Sequence, residues 1–191
     1  MAKVSFAKPK YCVVTISTDA SGVETETYGE VKVMGKGISL NTTINTAEST
    51  LYADDGAAEY DSEFVDGTIT TVLDDAEDEV MADLTGCTVE KETGRVVNKS
   101  TDVAKYIREG GVIGRIKGGI KQYRAVVYSR IKYGVPGDSF NTKGQTTTFG
   151  TISLAGKLFK NHKNEWREMS GWKNDFEAAE TELSAILKPT T

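Results

Sequence analysis

Along most of the chain, β-branched and apolar residues alternate with polar ones, and clusters of turn-forming residues punctuate the alternation. Tyr11 to Thr18 is the first such stretch; Asp19-Ala20-Ser21-Gly22 then supplies turn chemistry before a second, Glu24 to Met34, so the pair reads as a hairpin. Gly35 and Gly37 break the pattern. Beyond them Ile38, Leu40, Thr42 and Ile44 fall on one face of an expected strand and Ser39, Asn41 and Thr43 on the other. A further strand is expected to open near Glu63-Phe64 and run through Gly67 to Leu73. Thr88 to Glu90 and Arg95 to Asn98 flank Thr93-Gly94, which suits a second hairpin. The longest signal starts at Tyr123, with Tyr123, Ala125, Val127, Ile131 and Tyr133 on one side and Arg124, Arg130 and Lys132 on the other. Val126 and Tyr128 make the second side partly apolar, as expected of a strand that is central or meets a neighbouring subunit. Gly134 to Asp138 should turn the chain, and Gln145 to Phe159 returns as a strand interrupted at Gly150 and Gly156.

Helical period emerges in three places. Asp74 or Asp75 is placed to cap a short helix whose apolar face is Ala76, Val80 and Leu84, with Gly86 as a left-handed C-terminal cap. Val103, Tyr106 and Ile107 suggest one or two helical turns over 102–109, ended by Gly110-Gly111. Near the C-terminus, Asn174-Asp175-Phe176-Glu177 offers a capping residue with Glu three positions on. Phe176, Ala179, Leu183 and Ile186 or Leu187 then form an apolar stripe, so an amphipathic helix over 174–188 should dock on its own sheet or on another subunit.

The chain has 191 residues, enough for one domain of ordinary size spanning 1–191. No apolar run approaches the roughly 20 residues that span a bilayer, and the start lacks the pattern of a signal peptide, so a cytosol-like compartment and no membrane are expected. Cys12 and Cys87 stand in apolar, strand-like surroundings and read as buried thiols. The net charge of −5 conceals a strong asymmetry. From Gly37 to Glu90 there is no Lys or Arg but 14 of the 28 acids, giving −14, while the rest of the chain holds all 23 cations against 14 acids, giving +9. This points either to electrostatic complementarity between neighbouring copies or within the fold, or to a solvated acidic surface; it argues against general nucleic-acid affinity.

Catalytic chemistry is sparsely represented. The one histidine, His162, lies in a cationic loop expected at the surface, and with two isolated cysteines it cannot build a zinc site. The acids at 74–78 lack the alternate spacing of a calcium loop and fit a first helical turn. Glycines at 110, 111, 114, 118 and 119 lead into a strand and do not form a phosphate loop, so they read as turn and bulge residues. Asp54 and Asp55, adjacent on an extended chain, point to opposite faces and are poorly placed to flank a glycosidic bond. No cofactor, metal or enzyme activity is expected; a self-assembling structural protein is.

Two groups of short motifs carry a resemblance. Leu51-Tyr52-Ala53-Asp54-Asp55, Phe64, Gly67-Thr68-Ile69-Thr70, Asp74-Asp75 and Glu79-Val80 resemble the N-terminal signature of major tail proteins of long-tailed, non-contractile phages of Gram-positive hosts. Tyr123-Arg124-Ala125-Val126-Val127-Tyr128, Lys132 and Thr142-Lys143-Gly144 resemble the second signature of that family. Lys157 to Thr191 has no counterpart. The resemblance implies a β-sandwich or curled β-sheet protomer with a flanking helix, six of which close into a ring with a continuous barrel lining. Rings would stack into a tail tube in the virion, assembled in the host cytoplasm, alongside tape-measure and terminator proteins, with genomic DNA passing through the lumen unbound. A tube subunit of a phage-like bacteriocin or injection particle without a genome is the alternative, separable by gene neighbourhood. Head-to-tail rings use two different surfaces per copy, which suits a bipolar chain. On this reading an acidic loop around Tyr52 to Asp66, with Tyr52, Asp54, Asp55, Glu59 and Asp66, meets a basic surface of the next copy containing Arg124, Arg130 or Lys132. Some carboxylates would face the lumen, where they repel DNA phosphate.

Overall fold

A computed structural model describes residues 2–53, 56–138 and 150–189. In chain order the elements are β1 (Ala2–Thr18), β2 (Glu24–Tyr28), β3 (Lys32–Val33), β4 (Gly37–Ala53), β5 (Gly56–Leu73), α1 (Asp78–Thr85), β6 (Thr88–Val89), β7 (Val96–Val97), β8 (Tyr106–Lys117), β9 (Ile120–Tyr133), β10 (Ile152–Phe159), β11 (Arg167–Met169) and α2 (Phe176–Leu187). The expected mainly β class holds. Seven strands run in the order β2-β1-β8-β9-β10-β5-β4, with β3 added on β1 and β11 on β9, in one antiparallel sheet; β6 and β7 form a separate small hairpin. No helix among the described residues is long and apolar enough to cross a membrane.

The sheet curls around its main core without closing. Tyr11 of β1, Ile107 of β8, Tyr128 and Ile131 of β9, Leu154 and Leu158 of β10 and Ile69 and Leu73 of β5 all point inward, joined by Val80 and Leu84 of α1. The curl brings the start of β4 against β1: a Cβ on Gly37 would lie 2.6 Å from the Phe6 ring and 3.1 Å from Pro9. Among the described residues β4 is nevertheless paired only with β5, so the ladder ends there. On the outer face α2 buries Ala179, Leu183 and Leu187 against Val112, Ala125 and Val127. Of the two docking partners open to α2, its own sheet is the one it uses. Asp175 caps the helix, its Oδ2 accepting from Ala178 N at 3.0 Å, one position after the expected Asn174. Cys12, buried as expected, donates from Sγ to the Leu187 carbonyl at the far end of α2.

Several elements differ from the sequence expectation, each for a local reason. The 102–109 segment is not helical. Residues 106–109 begin β8, and Val103 is 69% exposed. Gly110 and Gly111 are interior strand residues: a Cβ on Gly110 would sit 2.4 Å from the Val126 carbonyl oxygen, and one on Gly111 2.4 Å from the Phe6 ring. Only Gly118 and Gly119, with φ of 57° and 79°, form the tight turn between β8 and β9. Helix α1 begins later than Asp74 or Asp75 allows. Asp74 Oδ1 instead accepts from Lys36 N at 2.9 Å and from Asp75 N, pinning the end of β5 to the start of β4, and Glu77 occupies the N-cap without a side-chain bond. Gly86 closes α1 in the left-handed conformation expected of it, with φ 84°. Ile38 leaves its predicted face because a bulge between Gly37 and Ser39 turns it outward. In β9 the step from Tyr128 to Ile131 faces only Glu109 to Ile107 on β8, so an extra residue flips the side chains. Ala125 and Val127 therefore face α2, while Ile131 and Tyr133 join Val126 and Tyr128 in the main core. Of the expected strand Gln145 to Phe159, Ile152–Phe159 is β10 and 145–149 lie outside the described residues.

Two polar clusters are built into the core. Asp83, on α1, accepts from Lys32 Nζ and Lys105 Nζ at 2.7 Å each and from Tyr11 Oη at 3.1 Å, tying α1 to β1, β3 and the segment before β8. Burial alone would raise its pKa, but the two lysines outweigh burial and hold it below the ordinary carboxylate value. The stabilisation is therefore present at neutral pH and fades as acid protonates the folded carboxylate. Asp83→Ala leaves three donors without their acceptor and should cost about 2 kcal/mol in a urea titration at neutral pH, with the deficit shrinking in acid.

The second cluster is Glu109, fully buried on β8. Its Oε1 accepts from Thr71 Oγ1 at 2.8 Å and its Oε2 from Tyr133 Oη, and among the described residues it has no cationic partner. Burial pushes its pKa up to about 7 against the two hydrogen bonds, which lower it.

Candidate functional site

The acidic segment from Tyr52 to Asp66 is not a loop in its described part. It is strand: β4 and β5 pair from Gly37 to Ala53 and from Gly56 to Leu73, whereas β10 pairs with β5 only from Gly67 to Leu73. Gly67 marks the branching point, where a Cβ would lie 2.9 Å from the Thr43 carbonyl oxygen. Beyond it the two strands continue as a ribbon with no further strand on either edge among the described residues. The ribbon is exposed, including Leu51 at 59%, Tyr60 at 62% and Val65 at 55%.

Register assigns its faces. Directly opposed residues share a face, so Thr46 with Phe64, Glu48 with Ser62 and Thr50 with Tyr60 lie on one side. Ala47 with Glu63, Ser49 with Asp61 and Leu51 with Glu59 lie on the other. At two-residue spacing, Glu59, Asp61 and Glu63 are a ladder of carboxylates about 7 Å apart. None of the three forms an ion pair among the described residues. The opposite face is held to the body at its base, where Phe64 stacks on Trp166 at 5.1 Å between ring centroids and 3° between planes.

A cationic surface lies at the β8–β9 end of the curled sheet's inner face. Arg115 and Arg124 place their guanidinium carbons 3.8 and 4.5 Å from the Trp172 ring centre, and Arg167 lies 4.4 Å from that of Trp166. Arg115 also donates to Gln122 Oε1 at 2.8 Å. The charged neighbours that act on Arg124 are like charges. Burial first, then Arg167 and Arg115, lower its pKa from the ordinary guanidinium value, and its buried Nε–H meets no acceptor among the described residues. A groove of about 640 Å³ opens beside it, lined by Arg124, Arg167 and Met169 on one side and by Ser39, Leu40 and Asn41 of β4 on the other. A larger groove of about 1010 Å³ between β3 and α1 interleaves lysines with acids and carries no such imbalance.

The other residues expected at a subunit contact are distributed differently. Arg130 is engaged within the chain by Glu26 and, at 3.2 Å, by Glu24; Glu26 is buried, and its carboxylate also lies 3.4 Å from His162 Nδ1. The histidine loop is thus less purely cationic than its neighbours in sequence imply. Burial raises the Glu26 pKa, yet the bonds from Tyr28 and Arg130 outweigh it and lower it. Lys132 Nζ sits 5.3 Å from the Tyr106 ring centre. Asp66 accepts from Asn45 Nδ2 at 2.5 Å and pairs with Lys157 at 3.3 Å. Glu59 is exposed on the ladder, Tyr52 lies in β4 opposite Ala57, and Asp54 and Asp55 lie outside the described residues. Asp61, Glu63, Arg115, Arg167 and Trp172 were not singled out by sequence. A usable signal existed in the alternation of 59, 61 and 63 and in the clustering of both tryptophans, Trp166 and Trp172, with arginine and lysine near the C-terminus.

The chain matches no known family model, and no curated protein is similar enough to count as a relative.

Proposed function

We propose that the chain is the repeating subunit of a hollow protein tube of the phage-tail type, built from head-to-tail rings that stack. The single observation that carries this reading is the β4–β5 ribbon. A two-stranded ribbon in water is marginal by itself, because neither face is covered and both edges leave backbone groups unpaired. Its extended length is accounted for if a neighbouring copy supplies the missing layer or strand. The curled sheet that stops short of closure fits the same reading, since ring formation can pair or cover its edges. The bipolar sequence contributes as well: the ribbon belongs to the −14 stretch, while the arginine surface belongs to the +9 remainder. Tape-measure and terminator proteins and DNA in transit are the partners such a tube would meet.

Shortening the ribbon provides the test. Replacing residues 48–63 with an Asn-Gly turn removes exposed strand and leaves the main core intact, so the variant should melt within a few degrees of the parent chain. Sedimentation should show it as a monomer at concentrations where the parent chain assembles. Equal assembly of both chains would remove the support for this reading.

A further inference from the structure

We infer that the groove at Arg124 and Arg167 is the receptor for the Glu59–Asp61–Glu63 face of a second copy's ribbon; the inference rests on the self-assembly proposed above. Three observations converge on it. The carboxylate ladder keeps three like charges in a row on one strand face with no cation bonded to them among the described residues, an arrangement that is unfavourable until cations arrive. Arg124 is the complementary case: half buried, repelled by Arg167 and Arg115, and with an inward Nε–H that meets no acceptor among the described residues. Arg167 stands on the same side, because its cross-strand partner is Tyr128, which shares the face of Arg124 on β9.

The outward aspect of the ladder points to a second molecule as its partner. Phe64 stacks on Trp166 of its own body, so at its base the opposite ribbon face is the one turned toward the chain that carries it. The ladder, on the other face, looks outward. An acidic strand face entering a groove with two arginines and a wall of Ser39 and Asn41 would bring acceptors to the partly buried Arg124 guanidinium and to exposed Arg167. Because ladder and groove are different surfaces, each copy can give one and receive one, which generates rings or stacks and does not terminate at a two-fold dimer.

Charge exchange between the two surfaces tests this. The ladder variant carries Glu59→Lys, Asp61→Lys and Glu63→Lys; the groove variant carries Arg124→Glu and Arg167→Glu. Each alone should associate about 100-fold more weakly than the parent chain. Mixed, they should co-assemble in alternation at low salt, because each acidic ladder meets an arginine groove and each lysine ladder meets a glutamate groove, and the assemblies should dissociate as salt is raised. A chain carrying all five substitutions should assemble again. Should Arg124→Glu impair folding, exposed Arg167→Glu alone serves as the groove variant and should shift association the same way. Undiminished assembly of the ladder variant, or a mixture that stays monomeric, overturns the inference. Pairing in the mixture without tubes from the parent chain would retain the contact and reject the tube; tubes from the parent chain with no pairing in the mixture would do the reverse.

Discussion

Gly110→Val is expected to cost about 4 kcal/mol, a large part of the stability of an ordinary domain. The reason is space. Gly110 lies in β8 where three layers meet: a Cβ would stand 2.4 Å from the backbone oxygen of Val126, 2.7 Å from Val127 Cγ2 and 2.8 Å from Leu183 Cδ1. The first of these is main chain in a paired strand and cannot rotate aside, so β9 or α2 has to move. Gly137→Ala is the matched control, since a Cβ there meets nothing within 4 Å among the described residues and its φ is not positive. It should change stability by less than about 0.5 kcal/mol. Equal effects at the two positions in urea denaturation would show that the close approach of β8, β9 and α2 is misdescribed.

The second large effect concerns Glu109 and pH. Its folded pKa is raised to about 7 from an ordinary value of 4.5, so between those values the folded chain holds a proton that the unfolded chain has released. Stability from this group is therefore greatest below the unfolded value and falls as pH rises through the folded one, by about 3 kcal/mol in all. Glu109→Gln cannot ionise and keeps an oxygen for the Thr71 and Tyr133 hydroxyls. It should remove that part of the fall and be more stable than the parent chain by about 2 kcal/mol above neutral pH, after allowing for the new amide donor. Parallel stability profiles for the two chains from acid to alkaline pH would contradict the assignment.

How far the sequence disclosed the fold depended on whether the information was local. The hairpin at Asp19 to Gly22 was legible because Asp19 Oδ1 accepts from Ser21 N and Val23 N and Gly22 takes φ 83°, chemistry contained in five residues. Helix α2 was legible for the same reason: its cap and its apolar stripe are neighbours along the chain. Gly110-Gly111 was misread as a helix stop because two glycines look alike whether they end a helix or admit a neighbouring strand, and only the positions of Phe6, Val126 and Leu183 distinguish the cases. The flip within β9 comes from its register with β8, which no single strand records. Glu109 carried no warning at all, since a carboxylate beside an arginine and a pair of glycines ordinarily faces water. At the proposed assembly surfaces the sequence exposed the charge imbalance but not its geometry. It placed the acids in a loop, where the chain extends Glu59, Asp61 and Glu63 on a ribbon, and it offered Arg130, whose charge Glu24 and Glu26 already take up.

The ribbon, the open sheet and the two oppositely charged surfaces support one central proposal, that copies of this chain join head to tail into a hollow tube. Negative-stain electron microscopy of the purified, concentrated chain tests it most directly. The account predicts hollow tubes or free six-fold rings that disappear when the ribbon is shortened. A uniform field of monomers, or of closed two-fold dimers, would contradict it.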